Sequence, residues 1–542
     1  MTEDLWYKNA VIYSLDLETF MDGNNDGTGD FEGLCNRLDY LHALGVDTIW
    51  LAPFQPTPNK DNGYDIADFY GVDPRHGSSG DFVEFMHKAR NLGIKVIIDL
   101  VVNHTSDQHP WFREARASKE SPRRDWYVWS AKKPSDWNEG MVFPGVQKAT
   151  WTRDKVSGEY YFHRFYEFQP DLNTGNPLVR NEISRIMGYW LELGVAGFRV
   201  DAVPFILESP APGRKKPKMH FEYLQDMRRL LQWRKGDAVL LGEANVLPEE
   251  SKAYFGEKGD GIHLMFNFFV NQYSFYTLAT GNTQPLVQAL EATRDICPSC
   301  QWAQFLRNHD ELDLGRLSEA ERQTVFERFG PEESMQLYER GIRRRLSPML
   351  GSRQQTELAY SLLFSLPGTP VIRYGDEIGM GENLSLKERD AIRTPMQWSA
   401  EPQAGFSKGT KLVHPVIDTG FYAYQHVNVE NQRRDPTSLL NWMTALIRLR
   451  KECPEIGLGD WKILNTGFPG ILCMQYSYKG KQLFTWHNFT PGPQEVILNT
   501  KQAGTPRLID LFNNLESRAD EAGRHTIILE SYGYRWFRAG EA

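Results

Sequence analysis

Eight short runs rich in Val, Ile and Leu recur along the chain, at 11–17, 48–52, 95–102, 197–203, 239–244, 263–269, 302–307 and 370–374. Amphipathic stretches of helical period lie between them, among them 82–91, 181–193 and 354–366. Apolar runs of this length suit strands buried on both faces, and strands alternating with helices form parallel βα units. The closed arrangement of eight such units is a (β/α)8 TIM barrel, with function on the loops that follow the strands. The predicted fold class is therefore α/β.

The spacing of the runs is uneven. The stretch between the third run and the helical pattern at 181–193 is too long for a connecting loop. It is dense in Trp, Tyr, Phe and Pro, which predicts an inserted subdomain at 104–170. From about 455 the pattern changes to short alternating runs (471–478, 482–486, 495–498, 526–529) separated by Gly and Pro turns, the signature of a small antiparallel β-sandwich. The predicted organisation is a barrel at 1–103 and 171–454, an insertion at 104–170 and a C-terminal β-domain at 455–542.

Composition narrows the partners. Lys plus Arg number 61 against 70 Asp plus Glu, a formal charge of −9, so nothing draws the chain to nucleic acid or anionic lipid. No apolar run is long enough to span a membrane, and Met-Thr-Glu-Asp at the start lacks the features of a secretory signal. The expectation is a soluble cytoplasmic protein, and nothing decides whether it forms a homo-oligomer. Five cysteines in so long a chain cannot be a disulfide framework. Cys297-Pro-Ser-Cys300 has redox or zinc spacing, but without a second pair it reads as an accident of a loop.

The acids and bases that carry information fall at strand ends. The fourth run holds Arg199 and Asp201, two residues apart and so on the same side of a strand. The fifth ends at Glu243 with Asn245 beyond it, the seventh is followed by Asn308-His309-Asp310-Glu311, and the third by Asn103-His104. A loop after the second carries Gly63-Tyr64-Asp65. These groups converge only if the barrel closes. Two carboxyls in one pocket suit glycoside cleavage, one ionised to attack the anomeric carbon and one protonated to serve the leaving oxygen. Arg199 is expected to keep Asp201 ionised, and the apolar strand end to raise the pKa of Glu243. The bland alternative is a structural Arg199–Asp201 ion pair inside a barrel.

Taken together, 99–104 (DLVVNH), 197–201 (GFRVD), the Glu243 strand and 308–310 (NHD) resemble, in order, the four conserved regions of the α-amylase superfamily, glycoside hydrolase family 13. The resemblance implies Asp201 as nucleophile, Glu243 as acid/base and Asp310 as transition-state stabiliser. It also implies that Asp65, His104, Arg199 and His309 hold the glucose. Gln169-Pro170-Asp171-Leu172-Asn173 is similar to the marker of the oligo-1,6-glucosidase-like subfamily. Arg393, in RTPMQW, is similar to an arginine that pairs with the aspartate matching Asp65 and closes the pocket behind one glucose. Tyr64, Phe168 and Trp398 fall beside these residues as flat faces for a sugar. Asn245 falls where it could touch a second sugar, and Glu311 is counted among the substrate-binding residues.

Further stretches, 62–68 (NGYDIAD), 103–112 (NHTSDQHPWF), 124–130 (RDWYVWS), 341–345 (GIRRR) and 374–381 (YGDEIGMG), are similar to the trehalose synthases, a maltose–trehalose interconverting group within that family. Two features depart from the group: Gly315 stands where an acidic residue is usual, and 209–216 (SPAPGRKK) replaces a longer loop rich in Glu and Asn. The expected substrate is a small α-glucoside (maltose, trehalose or sucrose-like). Three readings stay open: an isomerase or transglucosylase, an α-glucosidase of the same fold, and a non-catalytic carbohydrate-binding relative.

The segment 22–30 (DGNNDGTGD) places Asp22, Asn24, Asp26, Thr28 and Asp30 at alternate positions around glycines, as a Ca²⁺ loop requires. A metal-free Gly/Asn/Asp loop has the same composition. By resemblance, a second structural Ca²⁺ site is expected at Asn103, Asp171, Glu208 and the carbonyls of Phe205 and Ile206. No organic cofactor is expected.

Overall fold

In the computed structural model, residues 3–209, 217–499 and 507–540 are described. Most of the 209–216 loop, 210–216, therefore lies outside the described residues.

Eight strands close the barrel: β1 (Ile12–Leu15), β2 (Thr48–Leu51), β3 (Lys95–Leu100), β4 (Gly197–Val200), β5 (Val239–Gly242), β6 (Leu264–Phe266), β7 (Gln301–Phe305) and β8 (Thr369–Arg373). Each is parallel to its neighbours in chain order, and β1 pairs with β8 through Ile12↔Val371 to complete the circle. Alternate residues explain why the predicted runs are apolar throughout. Ile12, Trp50, Ile97, Val239, Leu241, Leu264, Phe266, Phe305 and Val371 fill the interior. Tyr13, Ile49, Ile98, Phe198, Leu240 and Met265 pack outward against the surrounding helices. All the strands except β8 are shorter than their runs. The reason is functional geometry: the polar ends at Asp201, Glu243 and Asn308 leave the ladder to face the cavity.

The insertion carries a three-stranded antiparallel sheet, Trp129–Ser130, Tyr160–Phe162 and Trp151–Arg153. Its aromatic density is mostly core: Phe112 lies against Tyr127, Trp129 and Tyr161, and Trp111 against Trp126. Bridges at His104↔Asp171 and Tyr127↔Leu172 pin its two ends to each other. Beyond the helices Leu439–Lys451 and Pro454–Leu458, a six-stranded and a two-stranded antiparallel sheet enclose a core of Ile471, Phe484, Trp486, Val496, Ile527 and Phe537. Among the described residues no helix is long and apolar enough to cross a membrane.

The cysteine expectation needs correction. Cys297 and Cys300 are joined by a disulfide, their Cα atoms 5.1 Å apart, in the turn before β7. That turn lies at the end of the barrel opposite the cavity. A bridge across two residues staples a loop locally and needs no framework of further cysteines.

Candidate active site

Arg199 is the hub. It projects from β4 with its side chain buried, and its Nη1 lies 2.9 Å from Asp99 and 2.7 Å from Asp201, while Nη2 lies 2.7 Å from Glu243. Three carboxyls from three strand ends thus share one guanidinium fork. Asp201 follows β4, and Ala202 after it has φ 49°, a left-handed conformation uncommon for a residue with a side chain. This sharp turn presents Asp201 to the cavity, and the Ala202 N–H donates to Glu243 Oε2 at 3.2 Å.

Burial dominates the protonation of this group. It lifts Asp201 to about 6 and Asp99 to about 6, against the pull of Arg199 in both cases. Burial also raises Glu243, and the negative neighbours Asp201 and Asp310 add to the lift. The expectation that Arg199 would hold Asp201 low is therefore corrected: the guanidinium is shared three ways, and desolvation outweighs it. Asp201 remains mostly ionised at neutral pH.

On the facing wall, Asp310 accepts from Arg389 Nη1 at 2.8 Å and Arg393 Nη2 at 3.1 Å, with His309 Nε2 3.2 Å away. Burial would raise this carboxyl, but His309, Arg389 and Arg393 together hold it well below the usual range. Tyr64 links the two walls, its hydroxyl 2.9 Å from Asp99 and 2.8 Å from His309 Nε2, its ring stacked on the imidazole at 5.4 Å. Gly63 makes that placement possible: its φ is +92°, and a Cβ there would stand 2.8 Å from the Pro53 carbonyl oxygen. His104 Nε2 lies 3.0 Å from the Tyr64 carbonyl, and burial lowers the ring to about 4, so it is neutral.

These side chains face a cavity of about 900 Å³. Asp201, Glu243, Asp310, Tyr64, His104, His309, Asn245 and Glu311 all line it, with Arg199 directly behind the carboxyls. Asn245 donates to Asp313 at 3.0 Å, and burial together with Asp310 raises Glu311 to about 7. Gly315, Arg316 and Arg340 complete that side. Val142, Phe143 and Phe165 form the wall contributed by the insertion.

Several predicted contacts fall elsewhere. Asp65 does not meet Arg393. It turns into its own loop, accepting from Thr57 Oγ1 at 2.9 Å and from the Lys60 and Asp61 amides at 3.1 Å each. The carboxyl that reaches the cavity is Asp61, which pairs with Arg389 at 2.7 Å and accepts from Gln169 at 3.0 Å. Arg393 instead holds Asp310 and the His309 carbonyl, the latter at 2.8 Å. Phe168 stacks on Tyr166 under Lys60, outside the cavity, and Phe165 takes the wall position, edge-on to His104 at 5.2 Å. Trp398 is core, packed on Phe20 and Tyr40. Asp61, Arg389, Gln169 and Phe165 are thus the residues missed from sequence. The one available signal was the second carboxylate of the 61–65 segment.

The two metal expectations part company. In the 22–30 loop, Asp22 accepts from the amides of Asn25 and Gly27 (2.6 and 2.8 Å) and from Ser407 Oγ (2.5 Å). Asp30 accepts from the amides of Gly23 and Gly33, and caps the helix that begins at Phe31. The donors, Asp22, Asn24, Asp26, Asp30 and the Thr28 carbonyl, have the all-oxygen chemistry of a hard-cation site. Among the described residues, however, no group of three or more His, Cys, Asp or Glu converges to hold a metal. At the second set, Glu208 is bound by Arg164 at 2.6 Å, and Asp171 accepts from the Arg164 amide at 2.9 Å. A divalent ion beside Asn103, Phe205 and Ile206 would meet this guanidinium, so that set does not fit a cation.

Comparison with known proteins agrees with this geometry. The profile "Alpha amylase, catalytic domain" matches residues 14–329 and 339–459, and "Sucrose hydrolase-like, C-terminal domain" matches 480–538. The chain is 41% identical to a trehalose synthase of Thermus thermophilus, covering 99% of this chain but 56% of that protein. It is 39% identical to a trehalose synthase of Pimelobacter sp. (99% and 96% covered), and 31% identical to an oligo-1,6-glucosidase of Parageobacillus thermoglucosidasius (92% and 94%). Among solved structures it superimposes on the trehalulose synthase MutB of Pseudomonas mesoacidophila MX-45 with a TM-score of 0.79, at 27% identity over 98% of this chain and 99% of that one. An α-amylase from H. orenii gives 0.78, at 27% identity over 98% and 100%. By its barrel, its strand-end carboxyls and these matches, the chain belongs to the α-amylase family, glycoside hydrolase family 13.

Proposed function

We propose that the protein is a retaining α-glucosyl isomerase that interconverts maltose and trehalose. The observation that carries the reading is the pair Asp201 and Glu243 on adjacent nitrogens of Arg199. A retaining mechanism needs its two carboxyls about 5–5.5 Å apart, closer than an inverting pair that admits a water, and the shared guanidinium keeps these two near each other. The ionised Asp201 attacks the anomeric carbon while Glu243 gives its proton to the glycosidic oxygen. The products are a β-glucosyl ester on Asp201 and one free glucose. If that glucose turns so that its anomeric hydroxyl meets the ester, Glu243 takes the hydroxyl proton, the new α-bond forms and Asp201 is released as carboxylate. Asp310, held ionised by Arg389 and Arg393, and Asp61 grip the glucose hydroxyls. The trehalose synthase relatives support this choice of substrates. All three acids are present, which disfavours a non-catalytic role.

The second reading is hydrolysis. Gly315 lines the cavity where the trehalose synthases usually carry an acidic residue, so this position offers no carboxylate to hold a second sugar. Incubation with maltose, trehalose and sucrose separately, followed by product chromatography, tests the proposal. Trehalose as the main product from maltose supports it; glucose as the main product assigns the chain to hydrolysis.

Calcium belongs to the same proposal. Asp22, Asn24, Asp26, Asp30 and Thr28 supply oxygen donors of the right chemistry but do not converge as they stand, so binding would draw the loop together. The reaction itself is carried by Asp201 and Glu243.

A further inference from the structure

In the cleavage proposed above, Glu243 protonates the oxygen between two sugars, so the leaving sugar lies beyond Glu243, where Asn245 follows two residues on. Asn245 is held at both ends of its amide. Its nitrogen donates to Asp313 Oδ2 at 3.0 Å, and its oxygen accepts from Arg316 Nε at 3.3 Å. Two carboxyls line the cavity beside it, Glu311 and Asp313. Burial pushes Glu311 up to about 7, so it carries only part of a charge at neutral pH.

Local pairing sets where Asp313 stands. The two-residue strand Leu312–Asp313 runs antiparallel to Gly341–Ile342, with Asp313 opposite Gly341, and the Leu314 amide donates to the Arg340 carbonyl at 2.9 Å. Arg340 is thereby placed beside Asp313, its Nε 3.4 Å from Oδ2 and its Nη2 3.7 Å from Glu311. Asp313 Oδ1 accepts from the Gly315 amide at 2.7 Å. A carboxylate has about four lone-pair directions, so these three contacts leave one for a sugar hydroxyl. The side chain is 19% exposed, enough to offer it. Gly315 fits the same arrangement. Its φ lies outside the left-handed region, so the backbone does not demand a glycine. Space does: a Cβ there would stand 2.9 Å from Asp313 Oδ1 and 3.2 Å from Arg340 Cδ. The Asp313 carboxyl occupies the ground that a side chain at 315 would take.

We propose that Asp313, aligned by Arg340, is the carboxylate that grips a hydroxyl of the leaving sugar and so determines specificity for a sugar at that place. It supplies from position 313 the acid that the trehalose synthases usually carry at 315, and Gly315 is the space it needs. Arg340 acts through Asp313 and is a positioning residue. Asp313 works in the cleavage step of the reading proposed above, on which this assignment rests, and the grip is the same whether sugar or water then meets the ester.

The test compares kcat/KM for maltose with kcat/KM for phenyl α-glucoside, whose leaving group has no further hydroxyl to grip. The ratio of the two isolates what the second sugar contributes. Asp313→Ala is expected to lower the ratio about 10- to 100-fold, the size of a hydrogen bond to a charged group. Asp313→Asn keeps an oxygen for Asn245 but loses the charge, and is expected to lower it about 3- to 10-fold. Adding Gly315→Glu to Asp313→Ala returns a carboxylate to the same ground and is expected to recover part of the loss. An unchanged ratio in Asp313→Ala, shown to be folded by circular dichroism, overturns the assignment. So does a fall confined to Asp313→Ala with Asp313→Asn at the wild-type value, since that marks a mere support for Asn245. Products from maltose, read in parallel, decide interconversion separately. Glucose alone from the wild type, with the ratio still falling in both variants, overturns interconversion and upholds the role of Asp313.

Discussion

Replacing Arg199 with Lys keeps one positive charge and removes the fork. The guanidinium serves Asp99 and Asp201 through Nη1 and Glu243 through Nη2, all within 2.9 Å. One ammonium on a differently shaped stem reaches at most two of them. A hydrogen bond to a charged group is worth about 1.5–3 kcal/mol, and a pKa unit about 1.4 kcal/mol. The carboxyl that loses its bond therefore rises by about one to two units. Asp201 begins at about 6 and must be ionised to attack, so the acid limb of kcat/KM lies near pH 6 and activity falls below it. If Asp201 is released, that limb moves up to about pH 7–8. If Glu243 is released instead, the alkaline limb moves up, because Glu243 must be protonated to act. Neither limb moves down. The assay is kcat/KM for an aryl α-glucoside across pH, with circular dichroism to show that the variant is folded. A limb displaced downward would refute the three-way sharing of Arg199, whereas two unmoved limbs would assign the lost bond to Asp99.

Other outcomes follow from the same geometry. Glu243→Gln should lower turnover of maltose by about 10²–10⁴-fold, the usual worth of a general acid, but the glycosylation step on a substrate with a good aryl leaving group far less; equal losses on both would remove Glu243 from that role. Asp61→Ala, which frees Arg389 and Gln169, should raise KM for maltose by about tenfold, and an unchanged KM would return attention to Asp65. If the 22–30 loop holds calcium, a chelator should lower the Tm of wild type and added Ca²⁺ restore it, while Asp22→Ala should have a low Tm that neither changes.

Much of this site was legible because barrel topology converts order along the chain into proximity. Asp201, Glu243 and Asp310 each follow a strand, and parallel closure brings the same ends of all strands together. Fine choices within a loop were not legible. In 61–65 two aspartates are four residues apart, and left-handed turns at Asn62 (φ 48°) and Gly63 (φ 92°) decide that Asp61 faces the cavity while Asp65 braces the loop. The partner of Asp61 lies 328 residues away, at Arg389. Its neighbour Arg393 differs only in where the short helix Glu388–Ile392 ends. Phe165 and Phe168 are separated in the same way, by a turn at 166–169 that spacing does not encode. The predicted shift of Asp201 failed for another reason: one arginine was assigned to one acid, and the closed barrel divides it among three.

The central claim is that a glucosyl group is carried on Asp201. It is tested most directly by quenching the enzyme during turnover of a slow fluorinated glucosyl fluoride and locating the adduct by peptide mass spectrometry. The account predicts one added sugar on the peptide containing Asp201, absent in Asp201→Asn. A folded, active enzyme that shows no adduct, or carries it on Glu243 or Asp310, would contradict it.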